Sequence, residues 1–437
     1  MMTPEEAEDY VYRSYLRVSD RYAFDTPDSQ RRFPQYAAPV IRDLAPDRPA
    51  VVITGSKGKG SVAVMTEAIL RASGRTGLLT SPHLVDFCER FAVDGLQATP
   101  EYFAAHTARV AALLDPVDAA LPAGRCISPM AVQTAVAMSM FADAGVERMV
   151  LECGKGARYD DVNSVPHRYG VINPVFAEHT RELGATPELI AADKAHVIAD
   201  GTQVAFAARQ SESVMRVIEK RAAAMKCDLR RYGRDFRCDN ISVSDRGTVA
   251  DIRVGDIEIP QVHIPLIGAH QAENCALAFA VAMEMCGHKI DIDAARRNLS
   301  AVRRPGRLEI VERDPVVLLD ACINRASCRG VLDALLTLGV KRCVSIIGIP
   351  DDKDYLGVAQ TMAPVSQRII LTSSGNPHYR FTLTEQQSNL VSAGISAETA
   401  PALAEALAEA YDSALPIVIL GTTSLISGFY SQRIYSE

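Results

Sequence analysis

The pattern of apolar and polar positions divides the first half of the chain into alternating strand-like and helix-like stretches. Residues 4–18 carry apolar side chains at helical spacing, and an apolar run at 50–53 predicts a short buried strand. Further strands are predicted at 75–80, 148–152, 169–175 and 202–207, and helices at 36–44, 62–72, 101–115, 129–145 and 186–199. Strands that alternate with helices predict a mostly parallel, doubly wound sheet.

The pattern changes in the second half of the chain. Residues 227–266 alternate with period two between short turns, which predicts a small antiparallel subsheet, and a helix at 268–286 follows. After a linker at 303–307, strands are predicted at 316–320, 343–349, 368–372 and 416–420, and helices at 326–338, 355–363, 385–393 and 400–414. We therefore predict an α/β protein with a larger domain at 1–302 and a smaller, Rossmann-like α/β domain at 303–437.

Composition narrows the classes of partner. The 437 residues are 48% hydrophobic and 23% charged, as in ordinary globular proteins, and the net charge of −7 argues against nucleic acid or an anionic membrane as the main partner. The ten cysteines form no C-x-x-C pair, which favours reduced thiols in a cytoplasmic protein. No signal peptide or membrane span is predicted. The oligomeric state, monomer or homodimer, stays open.

A glycine-rich stretch between the strand at 50–53 and the next helix carries the clearest chemistry. It has the features of a phosphate-binding cradle, because glycines let the backbone approach an anion and a helix N-terminus offers free N–H groups. Lys59 is placed to reach the β/γ-phosphates of a nucleotide and Ser61 to hold Mg²⁺. The candidate nucleotide-binding residues here are Gly55, Ser56, Lys57, Gly58, Lys59, Gly60 and Ser61. The alternative is a flexible turn with a stray lysine, since Gly60 interrupts the usual Lys-Ser spacing.

Other polar residues follow the predicted strands. Ser81-Pro82-His83 follows the second strand, Glu152 ends a later one, and His179 lies shortly after another. In a parallel sheet these positions meet at the carboxyl edge, where ligands bind. The first domain is therefore predicted to be a P-loop ATPase domain.

Taken together, these stretches resemble the Mur ligase superfamily, and most closely its folylpolyglutamate/dihydrofolate synthase branch. The motifs of that branch match in order at Gly55 to Ser61, Thr80 to Leu84, Glu89-Arg90, Glu152 to Asn163, His179 to Gly184, Lys194-Ala195, Gly268 to Asn274, Pro305 to Arg307 and Asp352 to Asp354. The resemblance covers most of the chain, and the motifs are highly specific as a set.

The resemblance implies an ATP-dependent amide ligase that phosphorylates a small-molecule carboxylate and lets an amine displace the phosphate. It implies one Mg²⁺ on Ser61 and Glu152, a second on His179, and a carbamylated Lys194. Nucleotide contacts are implied for Asn274, Arg307 and Asp320, the last two from the second domain, and substrate contacts for His83, Arg90 and Arg158. The structural alternatives are a solvated Glu152, a hydrogen-bonded loop histidine at 179, a surface lysine at 194, and a turn-shaping His83.

The match fails where the amine is received. The branch has Asp-Gly-Ala-His-Asn-Pro, whereas this chain has Asp320-Ala321-Cys322-Ile323-Asn324-Arg325. The family's histidine works with a serine that corresponds to Ser424 or its neighbour Thr423, and isoleucine cannot hydrogen-bond a carboxylate. Further departures stand at Ser128 to Ala131, at Lys155 and at Ser56-Lys57.

Three hypotheses follow from an intact ATP site and an altered substrate site. The first is an amide ligase with a non-standard substrate, whose amine is an amino acid held through Ile323, Arg325 and Ser424. The second is a true dihydrofolate or folylpolyglutamate synthase with a relaxed glutamate pocket. The third is a nucleotide-binding subunit without ligase activity, which would have no need of metal ligands.

Overall fold

The predicted strand at 50–53 lies inside the largest sheet of the computed structural model, which describes residues 2–19 and 27–434. The sheet is formed by β1 (Ala50–Thr54), β2 (Thr76–Leu79), β3 (Phe91–Val93), β4 (Leu96–Gln97), β5 (Arg148–Glu152), β6 (Tyr169–Ile172), β7 (Val204–Ala207) and β8 (Asp228–Arg231). Their order is β4-β3-β2-β5-β1-β6-β7-β8. Six neighbouring strands, β2-β5-β1-β6-β7-β8, are parallel. The strands β3 and β4 add an antiparallel edge beside β2.

Every residue of β1 is buried, so both faces of the sheet are covered, as an all-apolar strand requires. The covering helices are α1 (Pro4–Leu16), α2 (Asp28–Arg31), α3 (Pro34–Leu44), α4 (Lys59–Leu70), α5 (Pro100–Ala119), α6 (Pro129–Asp143), α7 (Thr180–Leu183), α8 (Pro187–Lys194) and α9 (Glu212–Ala224). Several of them begin where a hydroxyl accepts from a main-chain N–H of the first turn, as Thr3 does for α1 and Ser128 for α6.

A three-stranded antiparallel sheet follows, as predicted for 227–266. It comprises β9 (Phe236–Ser244), β10 (Gly247–Val254) and β11 (Ile257–Ile264), and α10 (Ala269–Met285) and α11 (Ile292–Ser300) come after it. The start of the predicted subsheet is corrected, because β8 pairs in parallel with β7 and so extends the large sheet.

The last part of the chain forms a second α/β sheet with order β12-β13-β17-β14-β15-β16. Its elements are β12 (Glu309–Arg313), β13 (Val316–Asp320), α12 (Arg325–Thr337), β14 (Cys343–Gly348), α13 (Tyr355–Met362), β15 (Ser366–Ser373), α14 (Leu383–Ser392), β16 (Glu398–Ala402), α15 (Leu403–Tyr411), β17 (Ile417–Gly421) and α16 (Thr423–Ile434). Residues 400–402, predicted as helix, lie in the edge strand β16.

The chain divides into two compact units. The first comprises Met1–Asp239, Asp251–Pro260 and Glu273–Ser300, and the second comprises Asn240–Ala250, Gln261–Ala272 and Ala301–Glu437. The domain limits 1–302 and 303–437 stay a prediction. Of the loop predicted at 20–48 around the short helix at 36–44, residues 20–26 lie outside the described residues. In the part of the chain that the structure describes, no helix combines the length and apolar character needed to cross a bilayer.

Candidate active site

The cradle lies where the carboxyl ends of three neighbouring strands meet. In the parallel register, Ile53 of β1 is opposite Glu152 of β5, and Thr54 is opposite Ile172 of β6. The loop that leaves β1 therefore starts beside the residues that follow β5 and β6. It ends at Gly58, which has φ +86° and precedes α4. Because no side chain caps this helix, its first N–H groups are available for an anion.

Two lysine ammonium groups meet at one carbonyl of this loop. Lys59 Nζ donates to Gly55 O at 3.0 Å, and Lys194 Nζ donates to the same oxygen at 2.9 Å. The two cations therefore lie close together at the start of the cradle. Two cations so close repel each other, which favours deprotonation of one of them or the arrival of an anion.

Lys194 is fully buried, with 0% exposure, which excludes the surface-lysine alternative. Besides Gly55 O, its Nζ donates to Lys155 O at 2.7 Å and pairs with Glu178 Oε1 at 3.1 Å. Burial and, next to it, the charge of Lys59 lower the pKa of Lys194 to about 8. About a tenth of this amine is therefore neutral and nucleophilic at pH 7, far more than for an ordinary lysine.

Glu152 is also buried, at 4% exposure, so it is not a solvated carboxylate. Its Oε2 accepts hydrogen bonds from the Thr80 hydroxyl and from Ser81 N, the latter at 3.0 Å. Thr80 and Ser81 follow β2, which pairs with β5, and this brings together residues about 70 positions apart. The result is a cluster of hard oxygen donors at the sheet edge.

His179 has a left-handed backbone, with φ +47°, and the residue retains exposed surface although protein atoms remove part of the hydration of its ring. Its pKa is lowered, first by lost hydration and then by the Lys155 ammonium, so the imidazole stays neutral at physiological pH. Lys155 is itself paired with Glu182 at 3.0 Å. A neutral imidazole is the form that ligates metal ions.

The donor set fits Mg²⁺ that arrives with a nucleotide. No group of three His, Cys, Asp or Glu side chains gathers for a metal within the described ranges. Mg²⁺ does not require such a cage, because it keeps several waters and binds one or two carboxylates together with substrate phosphates. Ser61, Glu152 and His179 are the side chains that would hold it.

Of the three predicted substrate residues, the structure joins two. Arg90 Nε donates to His83 Nδ1 at 2.8 Å, and Arg90 Nη1 donates to Gln133 Oε1 at 2.7 Å. His83 therefore orients an arginine, and the turn-shaping alternative does not describe its contacts fully. Arg158 is exposed and lies over the Tyr159 ring, with 5.2 Å between the guanidinium carbon and the ring centroid.

Asn274, at the start of α10, lies next to the cradle. A side chain on Gly58 would bring its first carbon to 3.0 Å from Asn274 Oδ1. Glycine at position 58 is therefore needed for space as well as for its backbone conformation.

In the second unit, Arg307 and Asp320 lie together. Asp320 ends β13, and its Oδ2 accepts from Leu308 N at 2.9 Å. Arg307 Nη1 donates to Ala321 O at 3.2 Å, immediately after Asp320. A tight main-chain link from Ala321 N to Gly306 O, at 2.9 Å, fixes this arrangement.

The residues predicted to bind the amine in the second unit differ in their exposure and in their hydrogen bonds. Arg325 is exposed, and its guanidinium donates to Gln360 while its main-chain N donates to Asp354 Oδ2 at 2.9 Å. Ile323 is half-buried, and Ser424 accepts a hydrogen bond from Asn376 Nδ2 at 2.9 Å.

Residues 53–282 match the Mur ligase middle domain. The chain is 32% identical over 345 residues to the dihydrofolate synthase/folylpolyglutamate synthase of Mycobacterium tuberculosis, covering 75% of this chain and 71% of that protein. The chain belongs to the folylpolyglutamate synthase-like family of Mur ligases. Members of this family are ATP-dependent ligases that join an acid to an amino acid, and so is this chain.

Two further likenesses extend the family assignment. A probable bifunctional folylpolyglutamate synthase/dihydropteroate synthase of Halobacterium salinarum is 34% identical over 313 residues, 71% of this chain but only 38% of that longer protein. The structure of the Mycobacterium tuberculosis folylpolyglutamate synthase complexed with ADP and AMPPCP has a TM-score of 0.86 at 28% identity, and the likeness covers 94% of this chain and 96% of that one.

Sequence reasoning missed several residues of this Mur ligase site. Thr80 and Ser81, the partners of Glu152, belong to a matched motif but had no predicted role. Gln133 and Asn376 had no sequence signal beyond their polarity. Arg32 was missed as well. It contacts Asp160 Oδ2 at 3.2 Å, and Asp160 also accepts from Gly154 N at 2.9 Å, so the pair fixes the glycine-bearing loop after β5.

Proposed function

We propose that this ligase uses ATP and Mg²⁺ to convert a small-molecule carboxylate into an acyl phosphate, and that it transfers the acyl group to an amino acid bound differently from glutamate. The observation that carries the first part is the convergence of Lys59 and the buried Lys194 on the Gly55 carbonyl, beside Glu152. Phosphoryl transfer requires neutralised charge and alignment more than covalent chemistry, and Lys59 at the uncapped N-terminus of α4 supplies positive charge for the phosphates.

The proposed reaction has two steps. A carboxylate oxygen attacks the γ-phosphorus, and the bond from that phosphorus to the ADP oxygen breaks. The amine nitrogen then attacks the acyl carbon, phosphate leaves with the electron pair of the C–O bond, and the new amide nitrogen loses a proton. Lys59 would stabilise the charge on the transferred group, while Ser61, Glu152 and His179 would hold Mg²⁺, which supplies further charge neutralisation.

Lys194 is proposed to act as a carbamate. Its lowered pKa favours the neutral amine, which can add to CO₂ with loss of one proton. The carbamate nitrogen keeps one N–H, which can donate to one of the two carbonyls, Gly55 O and Lys155 O, that Lys194 Nζ now contacts. The resulting anion would repel the carboxylate of Glu178, which now pairs with Lys194 at 3.1 Å, so Glu178 must turn away on carbamylation. NMR of the protein in ¹³C-labelled bicarbonate tests for the adduct directly.

The altered amine site supports a non-glutamate acceptor. Ile323 offers no hydrogen bond where the family has histidine. Arg325 is exposed and donates to Gln360, and Ser424 accepts from Asn376. A site that loses one hydrogen-bonding partner discriminates differently between substrates. An amine with an apolar side, or with its anionic group placed differently from that of glutamate, suits this site best.

A second candidate is a genuine dihydrofolate or folylpolyglutamate synthase, and the names of its relatives favour it. Restored growth of a strain that lacks folate glutamylation would support this candidate over the first. A nucleotide-binding subunit without turnover is disfavoured because Glu152 and Lys194 are buried with specific partners at the cradle. Phosphate release that requires both a carboxylate and an amine would exclude such a subunit.

The proposed setting is the cytoplasm, with the ligase acting as a monomer or homodimer on small molecules and without nucleic acid or membrane partners. The ten cysteines are all free, as a reducing compartment requires. Light scattering in solution measures the oligomeric state.

A further inference from the structure

The side chain of Asn173 is buried beside the cradle without hydrogen bonds. Its exposure is 0%, and neither Oδ1 nor Nδ2 has a hydrogen-bond partner among the described residues. Buried amides are almost always paired, because leaving a donor or acceptor unsatisfied destabilises the folded state. A leucine, which has nearly the same shape, would avoid this cost.

Hydrogen bonds hold the main chain of Asn173 in place, so its side chain starts from a fixed position beside the loop. Asn173 N donates to Thr54 O at 2.8 Å, and Asn173 O accepts from Gln210 Nε2 at 2.9 Å. The next carbonyl, Pro174 O, accepts from Ser56 N at 2.9 Å. The main chain of Asn173 is therefore hydrogen-bonded to Thr54 through its N–H and to Gln210 through its carbonyl.

The amide lies under the loop itself. A first side-chain carbon on Gly55 would be 2.4 Å from Asn173 Cβ, and one on Gly58 would be 2.7 Å from Asn173 Nδ2. The side chain therefore extends along the loop from Gly55 towards Gly58. No side chain other than glycine's would leave room for it at these two positions.

A bound nucleotide would change the hydrogen bonding of this loop. At present the Gly55 carbonyl accepts from both Lys59 and Lys194. When Lys59 turns to a phosphate group, that carbonyl loses a donor. Asn173 packs against Gly55 through its Cβ and has an unused amide next to Gly58, so it keeps a donor available to the main chain of the rearranged loop.

We propose that Asn173 is a positioning residue, whose amide donates to the main chain of the cradle when Lys59 moves from the Gly55 carbonyl to a nucleotide phosphate. This inference rests on the nucleotide-binding part of the proposed function. In this proposal the Asn173 amide is unpaired in the free protein and forms its hydrogen bond only when nucleotide is bound.

The test compares two states of three variants. Melting temperatures are measured with and without a non-hydrolysable ATP analogue and Mg²⁺, and the dissociation constant of the analogue is measured by calorimetry. The variants are Asn173→Leu, Asn173→Asp and, as a matched control, Thr66→Val. The Thr66 hydroxyl is also buried without a partner among the described residues, but it lies further along α4.

Asn173→Leu should melt at or above the wild-type temperature without nucleotide, yet bind the analogue roughly tenfold more weakly, with a raised KM for ATP and an unchanged KM for the amine. Thr66→Val should match or exceed the wild-type melting temperature and bind the analogue normally. Asn173→Asp keeps the shape but lacks the donor and adds a negative charge, so it should bind still more weakly. If Asn173→Leu does not fold, the affinity of Asn173→Asp for the analogue tests the proposal instead.

The inference is overturned if Asn173→Leu lowers the melting temperature of the free protein and leaves the affinity for the analogue unchanged, since the amide would then be merely structural. A different result separates the failure of the proposed function. If the analogue does not stabilise even the wild-type protein, nucleotide binding by the cradle is wrong, and the inference falls with it.

Discussion

The candidate site of the first unit and that of the second unit differ in how firmly their polar side chains are held. In the first unit, Glu152 and Lys194 are buried, and each has at least two polar partners. In the second unit, Arg325 is exposed and Ile323 is half-buried without a polar group. Phosphoryl transfer requires the same charges whatever the acceptor, whereas recognition changes with the substrate. These two demands predict a firmly held phosphate site in the first unit and a more variable acceptor site in the second.

The largest expected effect comes from the phosphate side of this comparison. Lys59→Ala removes the cation expected to meet the γ-phosphate, and should lower ATP-dependent phosphate release by about 10²-fold or more. Lys220→Ala, an exposed lysine of α9, is the matched control and should leave the rate unchanged. A Lys59→Ala protein that releases phosphate at the wild-type rate would show that the cradle is wrongly assigned.

Loss of Lys194 should have a comparable but reversible effect. Lys194→Ala removes the proposed carbamate and leaves space, so activity should fall by about 10²-fold and recover in part with added formate or acetate. Lys194→Met fills the same space with an apolar side chain and should not recover. Equal behaviour of the two variants with added carboxylate would contradict the carbamate role.

Ile323→His sharpens the comparison from the acceptor side. Restoring a hydrogen bond to a charged group contributes about 1.5–3 kcal/mol, so kcat/KM for glutamate should rise on the order of 10- to 150-fold. Ile241→His places the same change at an exposed isoleucine and serves as the control. If wild type already uses glutamate efficiently and Ile323→His changes nothing, Ile323 does not determine the amine.

The smallest effect concerns stability at alkaline pH. Burial lowers the pKa of Lys194 to about 8 from its ordinary 10.5, so between these values the unfolded chain binds the proton that the folded one has lost. The free energy of unfolding of wild type should therefore rise relative to Lys194→Met as the pH increases from 8 to 10.5. Urea titrations in CO₂-free buffer measure this difference, and a constant difference would mean that Lys194 is not desolvated as the structure has it.

Much of the fold followed from local pattern. The all-apolar β1 and the glycine-rich loop before α4 were predicted because both signals lie within a few residues of one another. The missed helix α9 had a usable signal, since Val214, Ile218 and Ala222 recur at helical spacing and are buried. The strand β16 did not, because residues 400–402 run directly into the alanine-rich helix α15 and only pairing with β15 makes them part of a strand.

The site was predictable only as a set of residue types. Motifs located Glu152 and Lys194, but their burial and partners depend on which strands are neighbours. The contact of Glu152 with Thr80 and Ser81 requires β2 beside β5, and the unpaired amide of Asn173 requires β6 beside β1. Such contacts join distant parts of the chain, and no spacing within the sequence encodes them.

The proposed ligase reaction and its acceptor are tested most directly by incubating the protein with ATP, Mg²⁺, a panel of carboxylates that includes folates, and a panel of amino acids. Condensed products are identified by mass spectrometry while phosphate release is measured in the same samples. The account predicts that one phosphate is released for each amide formed, and that an amino acid other than glutamate gives the most product. No phosphate release with any pair would contradict ligase activity, and preferred use of glutamate would contradict the divergent acceptor site.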